Sequence, residues 1–89
     1  MTSFEARVAK VVKAIPRGET VSYARVALLA NQPGAARAVA RALKAAKGIP
    51  WWRVRRSDGT LAPAVAHEQA RRLRAEGVAV HGRKVPLGR

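Results

Sequence analysis

The sequence has no cysteine, and only five acidic residues and four aromatic rings among its 89 residues. Without cysteine there is no disulfide, no thiolate metal site and no thiol nucleophile. The few acids are scattered, and with His67 and His81 they form no metal-ligand spacing. Neither histidine stands in a recognisable catalytic pattern, and no glycine-rich phosphate loop is present. No stretch reaches the ~18 consecutive apolar residues of a membrane span. Met1-Thr2-Ser3-Phe4-Glu5 also lacks the basic-then-apolar order of a secretion signal. These absences predict a cytoplasmic binding module without cofactor or metal, rather than an enzyme or a membrane protein, and a monomer is expected.

Positive charge is what the chain has in excess. Eighteen Lys and Arg against five Asp and Glu give a formal charge of +13. The cations run along the whole chain instead of forming one tail, which implies a polyanionic partner, nucleic acid by default. A solubilising surface is the bland alternative, but adaptation of that kind usually adds both signs. The length suits one small domain over residues 1–89, which buries roughly 60–65% of its unfolded surface. Most of the apolar content is Ala and Val, favouring closely packed helices.

The hydrophobic pattern predicts four helices. Thr2 to Glu5 offers an N-cap with capping-box spacing, and Phe4, Val8, Val11, Val12 and Ile15 then recur at helical intervals until Pro16-Arg17-Gly18. Ser22 caps a second helix over 23–30, Asn31-Gln32-Pro33-Gly34 is a tight turn, and a third helix covers 35–46. Helix, short turn and basic helix make a helix-turn-helix signal. On the third helix Val39 and Leu43 face inward, while Arg37, Arg41 and Lys44 form one basic stripe beside Ala38, Ala42 and Ala45. Such a stripe is often only a wet face, but methyl side chains beside it let a backbone approach DNA closely. Residues 54–61 read as a basic hairpin around Asp58-Gly59, the position of a wing. A fourth helix covers 64–75 with Ala66, Ala70 and Leu73 buried and Gly77 at its C′ position. Val78-Ala79-Val80 suggests a short strand, and 81–89 a basic tail. The expected architecture is mainly α, a winged helix-turn-helix with a small β-hairpin wing.

Gly48-Ile49-Pro50-Trp51-Trp52-Arg53-Val54 holds both tryptophans. Two large rings among small residues are either the plug of a small core or the wall of a pocket, and the residues alone leave both open.

Four blocks in order carry a family resemblance: Ile15-Pro16-Arg17-Gly18-Glu19-Thr20-Val21-Ser22-Tyr23, Ala35-Ala36-Arg37-Ala38-Val39, Ile49-Pro50-Trp51-Trp52-Arg53-Val54 and Glu76-Gly77. Over about residues 4–80 the chain resembles the DNA-binding domain of O6-alkylguanine-DNA alkyltransferases. Those enzymes read Ile-Pro-Cys-His-Arg-Val in the third block, and the Cys accepts the alkyl group. Trp51 at that position makes the chain similar to the non-catalytic alkyltransferase-like proteins. Trp52 departs from the His usually kept there, which in the enzymes links the Cys to a Glu matched by Glu76. With Cys and His both replaced, Glu76 is expected to hold the fold or cap its helix. The segment from Ala40 to Pro50 is shorter than in the enzymes, without their Asn-Pro hinge.

The resemblance implies a mechanism. The third helix enters the minor groove rather than the major groove expected of an ordinary helix-turn-helix. Arg37 fills the gap left by a flipped nucleotide, and Tyr23 presses on the neighbouring phosphate. The expected DNA contacts are Ser22, Tyr23, Arg37, Ala38 and Arg41. The flipped O6-alkylguanine enters a pocket made by Tyr23, Trp51, Trp52, Arg53 and Val54, with backbone groups of Trp51 and Val54 near its polar edge. Without a nucleophile the complex persists, and in this family it flags the lesion for nucleotide excision repair proteins. The implied partner is double-stranded DNA carrying O6-alkylguanine. A winged-helix transcription or nucleoid protein without lesion preference is the alternative; an RNA-binding protein explains the charge but not the Pro-Trp-Trp-Arg block.

Overall fold

The computed structural model describes residues 3–87, with the elements α1 (Phe4–Lys13), β1 (Val21–Ser22), α2 (Tyr23–Leu29), α3 (Ala36–Ala45), a single 3-10 turn (Trp51–Arg53), β2 (Val54–Arg55) and α4 (Ala66–Ala75). Thr2 of the expected capping box and the last two residues of the expected tail lie outside the described residues. The cap of α1 is Ser3, whose Oγ accepts from the Ala6 amide at 3.1 Å. Pro16 disfavours helical backbone at Ile15, so α1 stops short of it. Ile15 is nonetheless buried, carried into the core by the connecting segment.

Two apolar clusters form the interior. Val8, Val12, Val26, Val39, Leu43 and Val54 belong to the first, under α1, α2 and α3. Leu61, Ala66, Ala70, Leu73, Val80 and Val85 make up the second, under α4. The inward spacings read from α3 and α4 are realised, with Val39, Leu43, Ala66, Ala70 and Leu73 buried, while on α1 Val8 and Val12 are buried and Phe4 and Val11 only half-buried. The end of α4 is a Schellman motif: the Val78 amide donates to Leu73 O and the Gly77 amide to Arg74 O, both at 3.0 Å, with Gly77 at φ +86°.

The β structure differs from the expected hairpin. The turn at Asp58-Gly59 does form, with the Arg56 amide donating to Thr60 O and the Gly59 amide to Arg56 O. Its two arms, however, pair elsewhere. β2 runs parallel to β1, Val21 opposite Val54 and Ser22 opposite Arg55. Thr60 instead bridges Lys84 antiparallel, and the Leu61 amide donates to Arg83 O at 2.8 Å. Burial explains the exchange, because Leu61 and Val85 are both needed in the second cluster. The expected basic tail is therefore folded back as far as Val85, and 78–80 is not a strand although Val80 is buried. Gly59 is required at this crossing: its φ is +90°, and a Cβ there would collide with the Val85 carbonyl oxygen.

Candidate nucleic-acid interface

The α2–α3 unit builds a basic face. Ser22 caps α2, its Oγ accepting from the Arg25 amide at 3.0 Å, which sets Tyr23 at the first helical position. Asn31 at φ 66° and Gly34 at φ 87° make the left-handed turn into α3. Once Val39 and Leu43 are buried, the 3.6-residue period turns Arg37, Arg41 and Lys44 outward, and all three are exposed. Among the described residues none of the three has an acidic partner. Ala38 lies half-buried beside them.

Pro50 governs the tryptophan segment. Its φ of −79° and ψ of 69° are those of an inverse γ-turn, closed by the Trp51 amide donating to Ile49 O at 2.8 Å. The 3-10 turn that follows sends the two indoles apart, edge to face with centroids 6.0 Å apart and planes at 86°. Trp51 packs on the first cluster and Trp52 on the second. Trp51 also joins Tyr23 in lining a cavity of about 420 Å³, together with Ala40, Leu43, Lys44 and Val65. Tyr23 is half-buried there; burial pushes its hydroxyl pKa up, partly offset by the Arg56 charge.

Tyr23 and Trp51 therefore meet in one cavity, but the other three expected pocket residues do not join them. Val54 has no exposed surface and sits in the first cluster, opposite Val21 in the sheet. Its amide donates to Trp51 O and its carbonyl accepts from Gln69, so the expected polar edge at Trp51 and Val54 is spent on the fold. Trp52 and Arg53 turn instead to Glu76. The Trp52 Nε1–H donates to Glu76 Oε2 at 2.8 Å, and Arg53 donates to both carboxylate oxygens, the shortest at 2.7 Å, and to Ile15 O at 2.9 Å. A further bond runs from the Gly18 amide to Glu76 Oε1. The Arg53 hydrogen bonds hold the Glu76 carboxyl down at about 2, against the burial that pushes it up. Glu76 also stands at the C-cap position of α4, where its backbone amide donates to Leu73 O, while its carboxylate holds the fold.

Gln69 is a residue the sequence reading passed over. It is 1% exposed, and its Nε2 donates to Trp52 O at 3.0 Å and Val54 O at 2.8 Å. Its Oε1 is buried without a hydrogen-bond partner among the described residues. The signal was its place on the inward stripe, three residues after Ala66 and four before Leu73. The cavity walls from 62–65 were equally unforeseen, since no periodicity marks a loop that folds over another element.

Residues 3–78 match the model of the 6-O-methylguanine DNA methyltransferase DNA-binding domain. A DNA base-flipping protein of Escherichia coli strain K12 is 42% identical over 85 residues, covering 90% of this chain and 66% of that protein. The chain thus spans just under two thirds of that relative's length. A DNA base-flipping protein of Vibrio parahaemolyticus is 34% identical, with 90% of this chain and 85% of that protein covered. Among solved structures, S. pombe Atl1 in complex with damaged DNA containing O6-carboxymethylguanine superposes with a TM-score of 0.83 at 32% identity, over 91% of this chain and 83% of that one. The chain belongs to the family of the 6-O-methylguanine DNA methyltransferase DNA-binding domain, and its likeness to Atl1 is that of an alkyltransferase-like protein.

Proposed function

We propose that this chain recognises O6-alkylguanine in duplex DNA by flipping the nucleotide, and that it does so without repairing it. The observation that carries the reading is the cavity shared by Tyr23 and Trp51 beside the cationic face of α3. Its volume of about 420 Å³ lies within the range of small-molecule sites. Support also comes from the base-flipping relatives and from Atl1, which is bound to DNA carrying an O6-alkylated guanine.

In this account α3 lies in the minor groove, where Ala38 permits close approach and Arg41 and Ser22 contact the backbone. Arg37 fills the gap in the stack, and Tyr23 steers the nucleotide outward. Flipping costs a few kcal/mol, less for a poorly paired base. Trp51, replacing the alkyl-accepting Cys, packs its indole on the alkyl group and purine, an interaction worth ~1–3 kcal/mol. Nothing in a chain without cysteine can take the alkyl group by thiolate attack, so the complex ends by dissociation or handover to excision repair. In the same reading the chain acts in the cytoplasm as a monomer.

The flipping step is tested with 2-aminopurine placed beside an O6-methylguanine. Its fluorescence rises on addition of protein if the neighbour leaves the stack. An unchanged signal at saturating protein overturns the flipping step.

A further inference from the structure

A second cavity, of about 660 Å³, adjoins the first at Trp51 and Ala46 alone. Lys13 from the end of α1, Lys47 and Pro50 from the segment after α3, Trp52, Arg53 and Arg72 from α4 line it. Among the described residues no carboxylate does. Glu76 already neutralises Arg53, and Glu68 is shared between Arg71 and Arg72. Lys13 and Lys47 are exposed and have no acidic partner among the described residues. Of the residues assigned to DNA in the proposed function, only Trp51 lines this groove, at its border with the first cavity; Ser22, Tyr23, Arg37, Ala38 and Arg41 do not.

From this we infer that the groove is a docking site for an acidic peptide segment of a protein partner, one that binds while DNA occupies α3. The inference rests on the proposed lesion reading only in that it keeps DNA on α3 and the first cavity. Charge complementarity selects an anionic occupant. The state of Trp52 selects peptide over nucleic acid: the Arg72 guanidinium lies 4.7 Å from its ring centroid and that of Arg53 5.7 Å, so the ring is not an open platform for stacked bases. Ile49, Pro50 and the indole edges leave an apolar floor between the lysines, suited to a large side chain interspersed among carboxylates.

The test uses the full chain bound to an O6-methylguanine duplex, titrated into a fluorescein-labelled peptide of glutamates interspersed with phenylalanine. Lys13→Glu/Lys47→Glu is compared with Lys10→Glu/Arg83→Glu, an equal charge change at exposed positions outside the groove. Far-ultraviolet dichroism checks that both fold. The groove variant is expected to lose peptide affinity ~10-fold or more beyond the control. Equal losses overturn the inference, leaving only non-specific attraction. So does a single-stranded oligothymidylate that depends on the lysine pair while the peptide does not, since the groove would then bind nucleic acid. Lesion preference is measured separately on the same variants, so its failure overturns the DNA reading and not this one.

Discussion

The indole Nε1–H of Trp52 donates to the Glu76 carboxylate at 2.8 Å. In the enzymes this chain resembles, a His at the matching position contacts that Glu. Here an indole that cannot act as a base keeps the hydrogen bond. The indole donates to the carboxylate and takes no proton from it. Glu76 anchors a half-buried ion pair, its side chain 4% exposed against 14% for Arg53.

Glu76→Gln is expected to destabilise the fold by about 2 kcal/mol, because removing the charge leaves a half-buried guanidinium without its counter-ion. Calorimetric or dichroism melting should show a drop of roughly 10 °C or more. The pH dependence follows from the sign of the shift. A carboxyl whose folded pKa is held down at about 2, from an ordinary 4.5, contributes stability that is fully present above 4.5. That contribution is lost as the pH falls through the window from 4.5 to about 2. The gap in melting temperature between Glu76→Gln and the parent chain should therefore close across that window. A gap that persists unchanged at the acid end would contradict the assignment.

Gln69→Leu removes the donor to two carbonyls that fix the tryptophan turn, those of Trp52 and Val54. Each orphaned buried carbonyl costs ~1–3 kcal/mol, and loss of the orphan Oε1 offsets part of this. A net loss of about 2–4 kcal/mol in urea unfolding is expected. Unchanged stability would mean that the turn holds itself.

Arg37→Ala separates an intercalated side chain from a phosphate contact. Lesion duplex should be weakened ~10-fold more than undamaged duplex, read from parallel gel-shift or anisotropy titrations. Equal losses on the two duplexes would reduce Arg37 to a backbone contact.

Periodicity in the sequence was enough to read the helices and their buried faces, because burial of Val39, Leu43, Ala70 and Leu73 is a local pattern. The pairing of strands was not legible. Val54 lies beside Val21, and Thr60 beside Lys84, through contacts between distant segments that no local signal encodes. The same limit divided the expected pocket. Trp51 and Trp52 are neighbours in sequence, yet a 3-10 turn after Pro50 sends one to the first cluster and the other to the second. Trp51 thus serves as wall and partial plug at once, while Trp52 packs on the core and anchors Glu76. The stripe Arg37, Arg41 and Lys44 was readable because an exposed face follows from the buried one opposite.

Lesion preference is read by titrating two otherwise identical duplexes, one with a single O6-methylguanine, while following tryptophan emission. Binding to the modified duplex is expected to be tighter by ~10-fold or more, with a change in Trp51 emission as the base enters its cavity. Equal affinity for the two duplexes would contradict it.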